Sequence, residues 1–122
     1  MAEVASIEEI NYLLGKAQDC LDTNTISFVK RKPNMDFLNS IGMSIEDALF
    51  MVKILTHEYY YRGPSLERDL NHPPGDMWEF GIPEELPEEV YLKLKELHLC
   101  DDVLCLSFHK ARFPINYPYR GC

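Results

Sequence analysis

The stretch from Glu89 to Lys110, EVYLKLKELHLCDDVLCLSFHK, most constrains what this chain can become. Two runs alternate apolar and polar residues on either side of a short acidic connection, and period-two alternation over such lengths predicts two half-buried strands of an antiparallel hairpin. In the first run Val90, Leu92 and Leu94 fall on one face and Tyr91, Lys93 and Lys95 on the other. The second run groups Leu104, Leu106 and Phe108 against Val103, Cys105, Ser107 and His109. If the aliphatic rows share a buried face, then Tyr91, Lys93, Lys95, Ser107 and His109 share the opposite one. That face carries hydroxyls, ammonium groups and an imidazole, so it is either a solvated sheet face or a site.

The preceding residues supply cover for such a sheet. Ser6 and Glu9 have capping-box spacing, and Ile7, Ile10, Leu13, Leu14, Ala17 and Leu21 recur at helical intervals, which predicts a helix from about residue 6 to 21. Residues 23 to 30 read as a short strand, Asn34 as the cap of a short helix through Leu38 ended by Gly42, and Ser44 as the cap of a longer apolar pattern reaching Leu55. Residues 58 to 62 read as a strand stopped by Gly63-Pro64, residues 65 to 75 as a polar loop, and residues 76 to 82 as another strand. This order predicts an α+β fold, with an antiparallel sheet of three to five strands and two or three helices packed on one face. A chain of 122 residues is expected to be one domain, with a body over 6–110 and an extended aromatic and basic tail over 111–122, where Pro114 and Pro118 forbid a regular strand.

The net charge of −8 repels nucleic acid at long range. The charge is unevenly placed, however. Residues 103–122 contain Lys110, Arg112 and Arg120 but no acid, while Glu84, Glu85, Glu88 and Glu89 crowd one connection. Lys30, Arg31 and Lys32 form a second cationic run, either a solubilising loop or a grip on a phosphate backbone. The opening residues lack the basic and apolar segments of a secretion signal, and Lys53 interrupts the longest apolar run, so a cytoplasmic protein with reduced thiols at Cys20, Cys100, Cys105 and Cys122 is expected.

His98, Cys100, Cys105 and His109 are possible zinc ligands, but no paired C-x2-C knuckle accompanies them and no metal site is expected. Neither a G-x-S-x-G elbow nor a Gly-rich phosphate loop is present. Metal-free cleavage of RNA asks for different groups. The 2′-hydroxyl attacks the adjacent phosphorus, so the protein supplies a proton acceptor, a proton donor and cations around the phosphoryl oxygens, and no cofactor. Glu79 or His109 could accept a proton, His109 or Tyr91 could donate one, and Arg62, Lys93, Lys110 and Arg112 could hold the phosphate. The alternatives are a solvated strand face for Lys93 and Lys95, a cross-strand packer for Tyr91 and a surface carboxylate for Glu79.

The segments EYYYRG, GDMWEFGI, EVYLKLKEL and DDVLCLSFHK, in this order and after an amphipathic helix with an IGMSIEDA entry, resemble the MqsR (motility quorum-sensing regulator) family of bacterial toxins, proteins similar in fold to the RelE-like ribonucleases. The resemblance runs from about residue 6 to 112. It implies a metal-free endoribonuclease toxin of a type II toxin-antitoxin pair, with mRNA as substrate and a cognate antitoxin protein as partner, and with neither membrane nor DNA by itself as a partner. By position Tyr91 and Lys93 match a tyrosine and a lysine of the family, Arg62 and His109 stand where it has lysines, and Glu79 stands where it has a glutamine. Glu79 is then expected as base, His109 as acid, Arg62 and Lys93 on the phosphate and Tyr91 orienting the nucleotide. Lys95, Lys110, Arg112 and Trp78 are expected as further substrate contacts, and Phe113, Tyr117 and Tyr119 as rings that stack on bases. The acidic balance supports a different expectation, a catalytically silent interaction module, inhibitor or adaptor, on the same scaffold, whose carboxylates at Glu84, Glu85, Glu88 and Glu89 meet a basic partner.

Overall fold

The Ser6 hydroxyl accepts from the Glu9 amide at 3.1 Å and the Glu9 carboxylate accepts from the Ser6 amide at 3.0 Å, so α1 (Ile7–Asp22) starts at the predicted capping box in a computed structural model that describes residues 4–122. Its apolar stripe of Ile10, Leu13, Leu14 and Ala17 is buried. Ile10, Leu13 and Leu14 each contribute roughly 1.5–3 kcal/mol by leaving water, and Ala17 less. β1 (Ile26–Phe28) is shorter than the expected strand, because Asn24 takes a left-handed φ of 58° before it and the Arg31 amide closes a turn on the Val29 carbonyl after it. α2 (Lys32–Ile41) carries Pro33 in its first turn and ends at Gly42 with a φ of 67°, the left-handed stop that glycine supplies. α3 (Ile45–Phe50) begins where the Ser44 hydroxyl accepts from the Asp47 amide at 3.0 Å, and its pattern tightens into a 3-10 turn, Met51–Ile54, with a second at His57–Tyr59.

The remaining strands are β2 (Tyr60–Leu66), β3 (Gly75–Ile82), β4 (Val90–Leu97) and β5 (Val103–Lys110), and the sheet has the order β1-β5-β4-β3-β2. β1 runs parallel to β5 and every other pair is antiparallel, which gives the α+β fold expected from the element order. Gly63-Pro64 does not end β2. The strand passes through it with register shifts on either side, because Gly63, at a φ of 110°, lets the backbone lie against β3. A Cβ there would sit 2.7 Å from the Met77 carbonyl oxygen.

The hairpin differs from uniform alternation at one residue. Tyr91 faces His109, Leu92 faces Phe108 and Lys93 faces Ser107, but Leu94 faces Cys105, so Leu106 is the extra residue of a bulge. Val103 and Cys105 therefore enter the core beside Phe108, and Leu104 turns to face Lys95, the reverse of the expected grouping. Asn34, expected as a helix cap, supports this place. Its buried side chain donates to the carbonyls of Val29 (2.9 Å) and Leu106 (3.0 Å) and accepts from the Phe108 amide at 3.0 Å. It continues the edge pairing of β5 beyond the end of β1.

The stripe of α1, with Phe37, Leu38, Ala48 and Val52, joins Trp78, Phe80, Ile82, Val90, Leu92, Leu94 and Phe108 in one apolar cluster on one face of the sheet. The other face is the polar one. Among the described residues no helix is long and apolar enough to cross a membrane.

Candidate active site

Strand register places Arg62 of β2, Glu79 of β3, Lys93 of β4 and Ser107 of β5 in one row across the polar face. The adjoining row is Gly81, Tyr91 and His109. Neighbouring strands lie roughly 4.8 Å apart, so cation, carboxylate and cation follow one another directly. Glu79 lies beneath the surface, with 7 % of its side chain exposed, and both its oxygens are engaged: Oε2 accepts from Arg62 Nε at 2.8 Å and Oε1 from the Tyr91 hydroxyl at 2.5 Å. The bond to Glu79 pushes the Arg62 guanidinium above its usual range, and burial, followed by the same carboxylate, pushes the Tyr91 phenol far up. Tyr91 therefore stays a neutral donor.

His109 stands beside this pair, its ring 5.4 Å from that of Tyr91 and tilted by 34°. Its Nδ1 lies 3.0 Å from the Lys110 carbonyl oxygen, which can only accept, so Nδ1 carries the proton and Nε2 is left to exchange one. Lys93 Nζ lies 5.9 Å from the Tyr91 ring centroid, within cation–π range.

These side chains open into a cavity of about 320 Å³. Arg31, from the segment entering α2, and Arg112, from the tail, line it together with Arg62, Lys93 and His109, and no carboxylate is among its lining residues. Among the described residues Arg31, Lys93 and Arg112 make no ion pair. The site is thus a cationic hollow in an acidic chain.

Comparison with protein-family models, with characterised proteins and with solved structures finds no match to this chain.

Three of the expected substrate contacts, Trp78, Lys95 and Lys110, lie outside the lining of this cavity. Trp78 points from β3 into the core and is 5 % exposed, because it alternates with Glu79 and shares the face of Phe80 and Ile82. Lys95 keeps to the polar face, but its side chain is buried and bonded through Nζ to Glu67 at 2.8 Å, so it is already neutralised. Lys110 is exposed and pairs with Glu88 at 3.0 Å. The candidate zinc ligands diverge: His98 pairs with Asp76, while Cys105 faces the core, where burial pushes its thiol up to about 12, and His109 faces the cavity. Among the described residues no group of three or more His, Cys, Asp or Glu side chains is placed to hold a metal ion.

The tail crosses the end of the polar face. Tyr117 donates to Glu89 at 2.8 Å, the Ile115 amide donates to the same carboxylate at 3.2 Å, and Tyr119 donates to the Ala5 carbonyl at 2.6 Å while packing on Tyr60. Of the three rings expected to stack on bases, only Phe113 lines the cavity. Arg31 is a further functional candidate: it lies among three adjacent cations, and nothing in the local sequence singles it out from Lys30 and Lys32.

Proposed function

We propose that the chain is an endoribonuclease that cleaves single-stranded mRNA without a metal ion, by attack of the RNA's 2′-hydroxyl on the adjacent phosphorus. The observation that carries this reading is the cluster Arg62, Glu79, Tyr91, Lys93 and His109 opening into a cation-lined cavity in a chain of net charge −8. Cations gathered in one concavity of an acidic protein favour a polyanion there and disfavour it elsewhere. The roles proposed for these groups are the expected ones with one change. Glu79 is too buried to meet the substrate, so the 2′-hydroxyl gives its proton to the Tyr91 oxygen as Tyr91 passes its own to Glu79. The bond from O2′ to phosphorus forms, the bond to O5′ breaks, and protonated His109 gives its Nε2 proton to the leaving oxygen. Arg62 and Lys93 neutralise the charge that gathers on the phosphoryl oxygens.

The resemblance to the MqsR family extends the proposal: the chain is the toxin of a type II pair, silenced by an antitoxin protein encoded beside it. Growth arrest on expression, relieved by the neighbouring gene product, is the expected result, and harmless expression with intact cellular RNA would sink it. The silent-module reading draws less support, because its four carboxylates are engaged within the chain. Glu84 pairs with Arg120 at 2.7 Å, Glu85 accepts from Tyr59, Glu88 pairs with Lys110, and Glu89 holds the tail.

The purified protein should cleave a short single-stranded RNA in EDTA and leave 2′,3′-cyclic phosphate ends, and His109→Ala and Lys93→Ala should each lower the rate about 100-fold or more. Intact RNA after incubation with the wild type, with and without translating ribosomes, would overturn the reading.

A further inference from the structure

The cationic cavity continues past His109. A second, more open cavity of about 560 Å³ shares Pro33, His109, Ala111 and Arg112 with the first, so the two form one groove with His109 and Arg112 at the junction. Their linings differ in charge. The first side carries Arg31, Arg62 and Lys93 with no carboxylate, whereas the second adds Lys110 together with Asp36 and Glu88, and both acids are paired with lysines. A phosphodiester strand lying along the groove is attracted on the first side and gains little on the second. The nucleotide next to the scissile phosphate is therefore held in the first cavity, whose volume sits at the lower end of the roughly 300–1,000 Å³ of small-molecule sites and admits about one nucleotide.

Phe113 is on the rim of that cavity with 55 % of its surface exposed. It is an apolar ring facing water, and it is backed rather than loose. Tyr61 meets it edge-on, with centroids 6.4 Å apart, and the Arg62 guanidinium lies 4.8 Å over the Tyr61 ring. Two residues further on, the Ile115 amide is fastened to Glu89, so the ring is held in place before any ligand arrives. A fixed, exposed ring beside unpaired cations is the arrangement by which proteins hold unpaired nucleotides, the base on the ring and the backbone on the cations.

We propose that Phe113, with Arg31 and Arg112, forms a subsite for the nucleotide flanking the scissile phosphate, its base stacked on the Phe113 ring and its phosphate held by the two guanidinium groups. The inference rests on the RNA reading of this site and names the part of the strand the site holds. A duplex, whose bases are stacked on one another, cannot present such a base.

The test uses the full chain and 2′-O-methyl oligonucleotides, which lack the attacking hydroxyl and cannot be cleaved by the proposed route, read by fluorescence anisotropy. A single abasic residue is walked along the strand. One position should weaken wild-type binding about tenfold, Phe113→Leu should erase that penalty, and Phe113→Trp should keep it. Arg31→Gln should weaken every oligonucleotide and lower the salt slope by about 0.7. A flat abasic walk, a penalty that persists in Phe113→Leu, or equal competition by an acidic peptide of the same charge would overturn the subsite. The two proposals fail separately. Cleavage of unmodified RNA with a flat walk removes the subsite alone, and a position-sensitive walk with RNA never cleaved removes the nuclease and leaves the subsite.

Discussion

Tyr91 is the residue on which stability and the proposed chemistry meet, because its hydroxyl satisfies one oxygen of a carboxylate that is otherwise out of water. Tyr91→Phe keeps the ring but leaves that oxygen without its donor, and urea denaturation should show a loss of about 1–3 kcal/mol. Its cleavage rate should fall about 100-fold as well. Glu79→Gln tests the proton path from the other side. Its amide oxygen still accepts from Tyr91 but cannot take up a proton, and its NH2 group meets the Arg62 Nε–H, so kcat should fall as in Tyr91→Phe and the lost bond to Arg62 should lower stability as well. A Glu79→Gln enzyme with wild-type kcat would remove Glu79 from the proton path. Asn34 is the purely structural counterpart. Asn34→Leu strands the Phe108 amide and the Leu106 carbonyl at the bulge, and should cost about 2–4 kcal/mol in the same measurement. Period two placed Tyr91, Lys93 and His109 together, since it needs only neighbours in sequence. Nothing local could show that Asn34 bonds to a strand more than seventy positions away, so its preference for caps was the available reading.

At the scale of elements, the sheet's polar face is closed at one end and open at the other. Lys95 and Glu67 make the closed end, tying β4 to the segment that leaves β2. The hydrogen bond from Lys95, helped by the Asp69 amide, holds the Glu67 carboxyl below its usual value of 4.5. A carboxyl whose folded pKa is depressed adds stability that is complete above its ordinary value and is lost as pH falls through the folded one. The difference in Tm between wild type and Glu67→Gln should therefore be constant near neutral pH, begin to shrink below about pH 4.5, and vanish in stronger acid. A difference that grows on acidification would contradict this pairing. Lys95 also marks the limit of what alternation can tell. The pattern put it on the right face, but burial of that face depends on which loop folds over it, and the Glu67 contact joins positions far apart in the chain. The bulge at Leu106 escaped for a related reason. An extra residue in one strand is defined by its partner strand, and apolar residues occupy both sides of it, so the second run reads as unbroken alternation.

For the whole molecule, the charge distribution decides how RNA would be met. The sum of −8 opposes approach from most directions, and Arg31, Arg62, Lys93 and Arg112 invert the sign in one hollow. If three or four phosphates are neutralised there, log Kd against log salt should have a slope of about 2–3, so affinity should fall roughly 100- to 1,000-fold between 50 and 500 mM NaCl. A slope near zero would mean that the hollow binds something uncharged. Steering can be separated from grip at residues outside the groove. Glu8 and Glu46 are exposed, and among the described residues neither makes an ion pair. Glu8→Lys with Glu46→Lys moves the net charge from −8 to −4, two charge units for each substitution. Because long-range charge acts on encounter and contacts act on residence, stopped-flow measurement should find faster association at low salt, little change in dissociation, and convergence with the wild type once the Debye length drops to about 3 Å at 1 M salt. An unchanged association rate would show that the hollow's own field already dominates the approach, and the acidic exterior would then have no part in how the strand is captured.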